Sequence, residues 1–263
     1  QKGTLMSSSE SPVKTRREGG ILEVTLDRPK ANAIDLATSR IMGETFAAFR
    51  DDPDLRVCII TGAGEKFFCP GWDLKAAADG DAVDGDYGVG GFGGLQELRD
   101  MNKPVIAAVN GFSLGGGCEL AMACHLRIAN EKARFGQPEV NLGLTPGYAG
   151  TQRLVRYIGK AKALELLMTA DMIKADEALR LGLVNYVVPV GEAVAKAKEV
   201  LEKIGQKAPF AVTKVIECVN AYYTNEDGEN AEAVAFGECT TTEDFKEGVA
   251  AFLEKRKANF KGK

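Results

Sequence analysis

The chain has 263 residues, 45% hydrophobic and 27% charged, enough for one large domain or a domain with an appendage, and its composition is that of an ordinary globular protein. A formal net charge of −4 excludes a general nucleic-acid binder, which needs a basic excess, and leaves only local basic stretches such as Lys255-Arg256-Lys257. Six cysteines without a CxxC pair, and a single histidine, make neither a zinc site nor a disulfide framework, so reduced thiols in a cytoplasmic compartment are expected.

Residues 1–20 are polar and serine-rich, lack the apolar stretch of a secretory signal, and read as a disordered or appended tail. No apolar run approaches the ~18 residues that span a bilayer, so no membrane partner is expected. From Ile21 to Leu26 apolar and polar residues alternate, a half-buried strand stopped by Pro29. Ile34, Leu36, Ile41, Met42, Phe46 and Phe49 recur at helical spacing, and Val57-Cys58-Ile59-Ile60 is a short buried strand ending at Gly62. Gly80 to Gly94, rich in Gly and Asp with Tyr87 and Phe92, reads either as a mobile loop over a site or as a surface insertion. A strand over Val105 to Val109, a helix over Gly117 to Cys124, and strands at Leu126 to Ala129 and near Asn185 to Val188 follow. This interleaving predicts an α/β core over residues 21–205. Beyond Gly205 only helical periodicity remains, at Ala208 to Tyr223, Asn230 to Cys239 and Glu243 to Ala258. Residues 206–263 are therefore expected to form a helical region that packs on a neighbouring subunit or on its own core.

The chemistry centres on two carboxylates. Glu119 ends the run Gly115-Gly116-Gly117-Cys118-Glu119, and Glu139 ends Gly136-Gln137-Pro138-Glu139. Adding water to a double bond, or removing it, needs one group that takes a proton and one that gives it, and two carboxyls in different surroundings can do both. A glycine-rich turn entering a helix leaves backbone N–H groups unpaired, and these can hold negative charge developing on a carbonyl oxygen. The only histidine, His125, cannot complete a Ser-His-Asp triad and reads as a structural residue.

Taken in order, the runs Asn110 to Cys124, Phe135 to Leu144 and Pro146 to Leu154 resemble the enoyl-CoA hydratase (crotonase) family. The resemblance extends over nearly the whole chain, through Asp27 to Ala33, Pro70 to Lys75 and Ala251 to Phe260. It implies a crotonase-type spiral of ββα units with a C-terminal helical region that forms homotrimers or dimers of trimers. It implies that Glu119 and Glu139 position and activate the water added to an α,β-unsaturated acyl-CoA, and that the Gly116 and Trp72 N–H groups form an oxyanion hole. Both glutamates being present favours a hydratase over the double-bond isomerases of the family, and over a non-catalytic acyl-CoA or RNA-binding relative. Ala31, Ala33, Trp72, Asp73, Leu74 and Lys75 are expected along the CoA path. Phe252 and Lys255 match positions that reach a neighbour's CoA, although Lys255 also suits an exposed helix face. No metal and no cofactor beyond the substrate's own CoA is implied.

Trp72 departs from the small residue usual at its position. Its indole either narrows the acyl pocket, where it can attract a cation, or packs beneath the loop. Pro29 to Ala33, Thr61 to Phe68 and Gly71 to Ala78 resemble the crotonobetainyl-CoA hydratase (carnitinyl-CoA dehydratase) branch, whereas Phe135 to Leu154 resemble general short-chain hydratases.

Overall fold

The computed structural model describes residues 11–81, 85–223, 234 and 237–263. Six strands, β1 (Val13–Glu18), β2 (Ile21–Leu26), β3 (Val57–Gly62), β5 (Val105–Val109), β7 (Leu126–Asn130) and β10 (Tyr186–Val188), form one sheet in that spatial order. Its pairs are parallel except β1 with β2. Every residue of β5 is buried, the apolar run of a parallel strand covered on both faces.

The first twenty residues are not all tail. Residues 13–18 form β1 and pair along their whole length with β2, Val13 opposite Leu26 and Glu18 opposite Ile21. The strand escapes detection because it lies at the sheet edge, where only Val13 is buried and Lys14, Arg16, Arg17 and Glu18 stay in water. The remainder of that tail, 1–10, lies outside the described residues.

A second sheet is also absent from the sequence reading. Its strands β4 (Phe67–Cys69), β6 (Phe112–Leu114), β8 (Arg134–Gly136) and β9 (Ile173–Lys174) have two or three residues each, too few to show a period. The chain steps from the first sheet to the second through short corners, β3 to β4, β5 to β6 and β7 to β8. Asparagines stitch these corners together. Asn110 accepts from the Gly62 N–H at 3.1 Å and donates to the Gly64 carbonyl at 2.7 Å, while Asn130 donates to the Asn110 carbonyl at 2.8 Å. After each strand of the second sheet the chain turns into a helix or helical turn: α2 (Leu74–Ala78), α3 (Gly116–Ala123) and a 3-10 turn (Glu139–Leu142). This repeat is the crotonase-type spiral.

Because β4, β6 and β8 run parallel as neighbours, their carboxyl ends lie side by side at the usual strand spacing of about 4.8 Å. Trp72, Gly116 and Glu139 follow those three ends. Ligands favour this edge of a parallel sheet, and the fold alone gathers three of the expected site positions there.

Helix α1 (Leu36–Asp51) buries Met42, Phe46 and Phe49 and starts on Asp35, whose side chain accepts from the Thr38 N–H at 2.8 Å, a cap worth about 1 kcal/mol. Helices α4 (Gly150–Ile158), α5 (Lys160–Thr169) and α6 (Ala175–Arg180) complete the main core, and α7 (Ala193–Gly205) lays Ala193, Ala197 and Leu201 on the opposite sheet face. Beyond it stand α8 (Pro209–Ala221) and α9 (Glu243–Glu254), with Val215, Val219, Phe245, Val249 and Leu253 exposed. Most of the helix expected over residues 230–239 lies outside the described residues. No helix among the described residues is long and apolar enough to cross a membrane.

Candidate active site

The glycine-rich corner is built by close approach. A Cβ on Gly117 would sit 1.9 Å from the Cys69 carbonyl oxygen, and one on Gly71, whose φ is +102°, would sit 2.9 Å from the Gly116 nitrogen. Only glycine lets the loop after β4 press against the start of α3. The Gly116 N–H belongs to the first turn of α3, whose cap residue Gly115 offers no side chain, so the helix itself leaves it unpaired. Trp72 pairs with Ile34 through its flanking residues: Ile34 donates to the Gly71 carbonyl and accepts from the Asp73 N–H, both at 2.9 Å. That register turns the Trp72 N–H away from Ile34. The two expected oxyanion donors thus lie on adjoining loops.

Glu119, in the first turn of α3, is fully buried. One carboxylate oxygen, Oε1, accepts from the N–H groups of Tyr148 at 2.8 Å and Gly150 at 2.7 Å, while Oε2 has no hydrogen-bond partner among the described residues. Burial raises its pKa, opposed by those two N–H groups and by the nearby Arg153 guanidinium. Glu139 stands half-buried on its turn. A Cβ on Gly115 would lie 3.1 Å from its Oε1, and the buried Gln137 amide, when its nitrogen is turned toward the carboxylate, donates to its two oxygens at 2.9 and 3.2 Å. Burial first, and the neighbouring Glu119 charge as well, push Glu139 up to about 7. The structure therefore brings both carboxylates to the corner that carries the Gly116 N–H.

A wall of aromatic rings that the sequence reading left unassigned adjoins this corner. Phe92 and Tyr148 stack with centroids 4.3 Å apart, Tyr87 meets both edge-on, and the Tyr148 and Tyr87 hydroxyls are 2.9 Å apart. A Cβ on Gly116 would strike the Phe92 ring at 2.5 Å, so the ring lies against the oxyanion corner. Residues 85–94 are thus not a plain surface insertion. Phe92 is fully buried, and the aromatic residues scattered among those glycines were the available signal. Residues 82–84 lie outside the described residues.

Along the expected CoA path, Arg28 ties two loops together. It donates to the Ala33 carbonyl at 3.0 Å and to Asp35 at 2.7 Å, and it pairs with Asp73. Asp73 in turn accepts from the Lys75 N–H at 3.0 Å, which fixes the start of α2, and the side chains of Leu74 and Lys75 are exposed. Ala31 and Ala33 are half-buried in the facing loop. The Trp72 indole is half-buried against the main core, and its Nε1 is buried without a partner among the described residues. Lys255 lies just past α9 with φ +55°, exposed and without hydrogen bond or ion pair among the described residues. The Phe252 side chain lies outside what is described. His125 accepts the Val105 N–H at 3.0 Å, and burial lowers its pKa to about 4, a neutral structural residue.

Residues 16–263 match the family described as enoyl-CoA hydratase/isomerase. The chain belongs to that family. It is 49% identical over 251 residues to the carnitinyl-CoA dehydratase of Proteus mirabilis, covering 93% of this chain and 96% of the relative, and 49% identical over 260 residues to that of Salmonella arizonae, covering 97% and 99%. Among solved structures, the enoyl-CoA hydratase of Mycobacterium marinum superposes with a TM-score of 0.90 at 37% identity, covering 97% of this chain and all of that one. An enoyl-CoA hydratase from Bacillus anthracis gives 0.88 at 37% identity, covering 96% of this chain and all of that one. Both structures superpose on the spiral described above.

Proposed function

We propose that the chain catalyses the reversible syn addition of water to a trans-2-enoyl-CoA, giving a 3-hydroxyacyl-CoA. The observation that carries this reading is the pair of unlike carboxylates at the Gly115–Gly116 corner, one fully buried and held by two backbone N–H groups, the other lifted to about 7. The thioester carbonyl lies between the Gly116 and Trp72 N–H groups, each worth on the order of 3 kcal/mol to the enolate-like transition state. Glu119, fixed through Oε1, offers Oε2 to the water that attacks the β carbon and takes up the proton this water gives off, which passes through solvent to restore protonated Glu139 for the next turnover. Protonated Glu139 gives its proton to the α carbon in hydration and takes one back in dehydration. The CoA portion runs along Ala31, Ala33 and Trp72 to Lys75, with Phe252 and Lys255 completing the site of a neighbouring subunit in a trimer. No step written here draws on a metal or redox cofactor.

Within this reaction, the acyl group we favour is crotonobetainyl, with general short-chain enoyl groups as the second reading. The support is twofold: the carnitinyl-CoA dehydratase relatives, and the half-buried Tyr148 ring beside the corner, held by Phe92 and Tyr87, since an aromatic face attracts a quaternary ammonium by about 0.5–2 kcal/mol. Following the loss of enoyl-thioester absorbance with crotonobetainyl-CoA and crotonyl-CoA tests both layers. Turnover of either supports hydration, and preference for the charged substrate supports the acyl assignment. A strong preference for crotonyl-CoA rejects the crotonobetainyl reading, and inactivity on every enoyl-CoA rejects hydration.

A further inference from the structure

The sheet end opposite the active corner opens on a cavity of about 370 Å³. Five of its lining residues are cationic, Arg56, Lys103, Lys207, Lys261 and Lys263, and no aspartate or glutamate lines it. In a chain with net charge −4 this is the reverse of the average surface. Several cations elsewhere pair, Arg28 with Asp35 and Asp73, Lys198 with Glu18 and Glu23, Lys214 with Glu217 and Glu238, while others such as Lys255 stand unpaired among the described residues. Among the described residues none of the five cavity cations is in an ion pair. Lys103 donates to the Phe49 and Asp52 carbonyls at 3.0 and 2.6 Å, leaving one of its three donors unassigned, and the Arg56 guanidinium reaches only the Phe260 carbonyl, at 3.5 Å.

The clustering is built into the fold. Asp244, buried, accepts from the Lys261 and Gly262 N–H groups at 2.6 and 2.7 Å, and its own N–H donates to the Lys263 carbonyl at 2.9 Å. Asp244 therefore uses both carboxylate oxygens to hold the C-terminal segment at the cavity rim. Arg56 stands immediately before β3 and Lys103 two residues before the start of β5, while the active corner lies past their far ends; six residues of β3 separate the two by roughly 20 Å. The remaining lining is apolar, Leu55, Val57, Ile204 and Val212 among it, and α8 begins at Pro209 on the same wall without a side-chain cap, adding its positive end. Cationic residues around an apolar floor, in a cavity of small-molecule size, form a receptor for a phosphate group attached to a compact heterocyclic or apolar body.

We infer that this cavity binds a phosphorylated small molecule at a site separate from the catalytic corner. The test is calorimetric titration of the full chain with adenosine diphosphate, in the presence of saturating butyryl-CoA to occupy the acyl-CoA path. Expected is saturable binding that butyryl-CoA does not displace, that weakens as salt rises, and that Lys207→Glu with Lys261→Glu weakens at least ~10-fold at unchanged hydratase activity. If that double reversal fails to fold, Lys207→Gln with Lys261→Gln is expected to weaken binding in the same direction by a smaller factor. Absence of binding, displacement by butyryl-CoA, or unchanged affinity in the folded variants overturns the inference.

Discussion

The two carboxylates stand on supports of opposite kind. Glu119 is carried by α3, packed into the core and gripped by two N–H groups from the segment 148–150. Glu139 stands on a 3-10 turn of which no residue is buried, next to the exposed side chains Val140, Leu142 and Leu144. Two N–H donors on one oxygen hold Glu119 in place, whereas partial burial beside another carboxylate favours a group that changes protonation state near neutrality. The difference assigns positioning of water to the rigid member and proton exchange to the titrating one.

The largest effect that can break this division is removal of either carboxylate. Glu119→Gln and Glu139→Gln are each expected to lower kcat by roughly 10²–10⁴-fold in an enoyl-thioester absorbance assay, and full retention by one of them would leave a single working group. Next is Gly150→Ala. The added methyl would lie 2.7 Å from Glu119 Oε1, and a displaced water-positioning group costs up to about 100-fold in kcat, read against an unchanged fold by circular dichroism. The pH dependence sharpens the comparison further. Hydration exchanges no net proton, so the carboxylate pair carries one proton in either direction, on Glu139 in hydration and on Glu119 in dehydration, and kcat/KM in both directions should fall together as pH rises through about 7. A kcat/KM for hydration that stays level from about pH 6 to about pH 9 would remove Glu139 from the proton exchange. The smallest effect is Tyr148→Phe, which deletes the hydroxyl contact to Tyr87 and should cost about 0.5–1.5 kcal/mol of stability in denaturant unfolding, while the Tyr148 backbone donor to Glu119 stays in place.

Much of this site was legible in the sequence because its parts are local: a glycine run entering a helix, and a carboxylate at a fixed distance after it. The core strands β2, β3, β5 and β7 were legible for the same reason, each carrying four or more apolar or alternating residues. What stayed hidden depends on distant pairing. β1 shows one buried residue in six, and β4, β6 and β8 are too short to have a period, yet those three strands align Trp72, Gly116 and Glu139. The backbone donors of Tyr148 and Gly150 could not be read from side-chain identity. The amide of Gln137 lies two residues from Glu139 in plain sight, but its role appears only once the turn folds it back onto the carboxylate.

The central claim is that Glu139 exchanges the α-carbon proton while Glu119 positions water. It is tested most directly by following hydration of one enoyl-CoA by the wild type and by Glu139→Gln, and in parallel the deuterium exchange at the α carbon of the 3-hydroxyacyl-CoA in heavy water. The account predicts that Glu139→Gln loses hydration and exchange together, by at least ~100-fold. Exchange that persists at the wild-type rate in Glu139→Gln would contradict it.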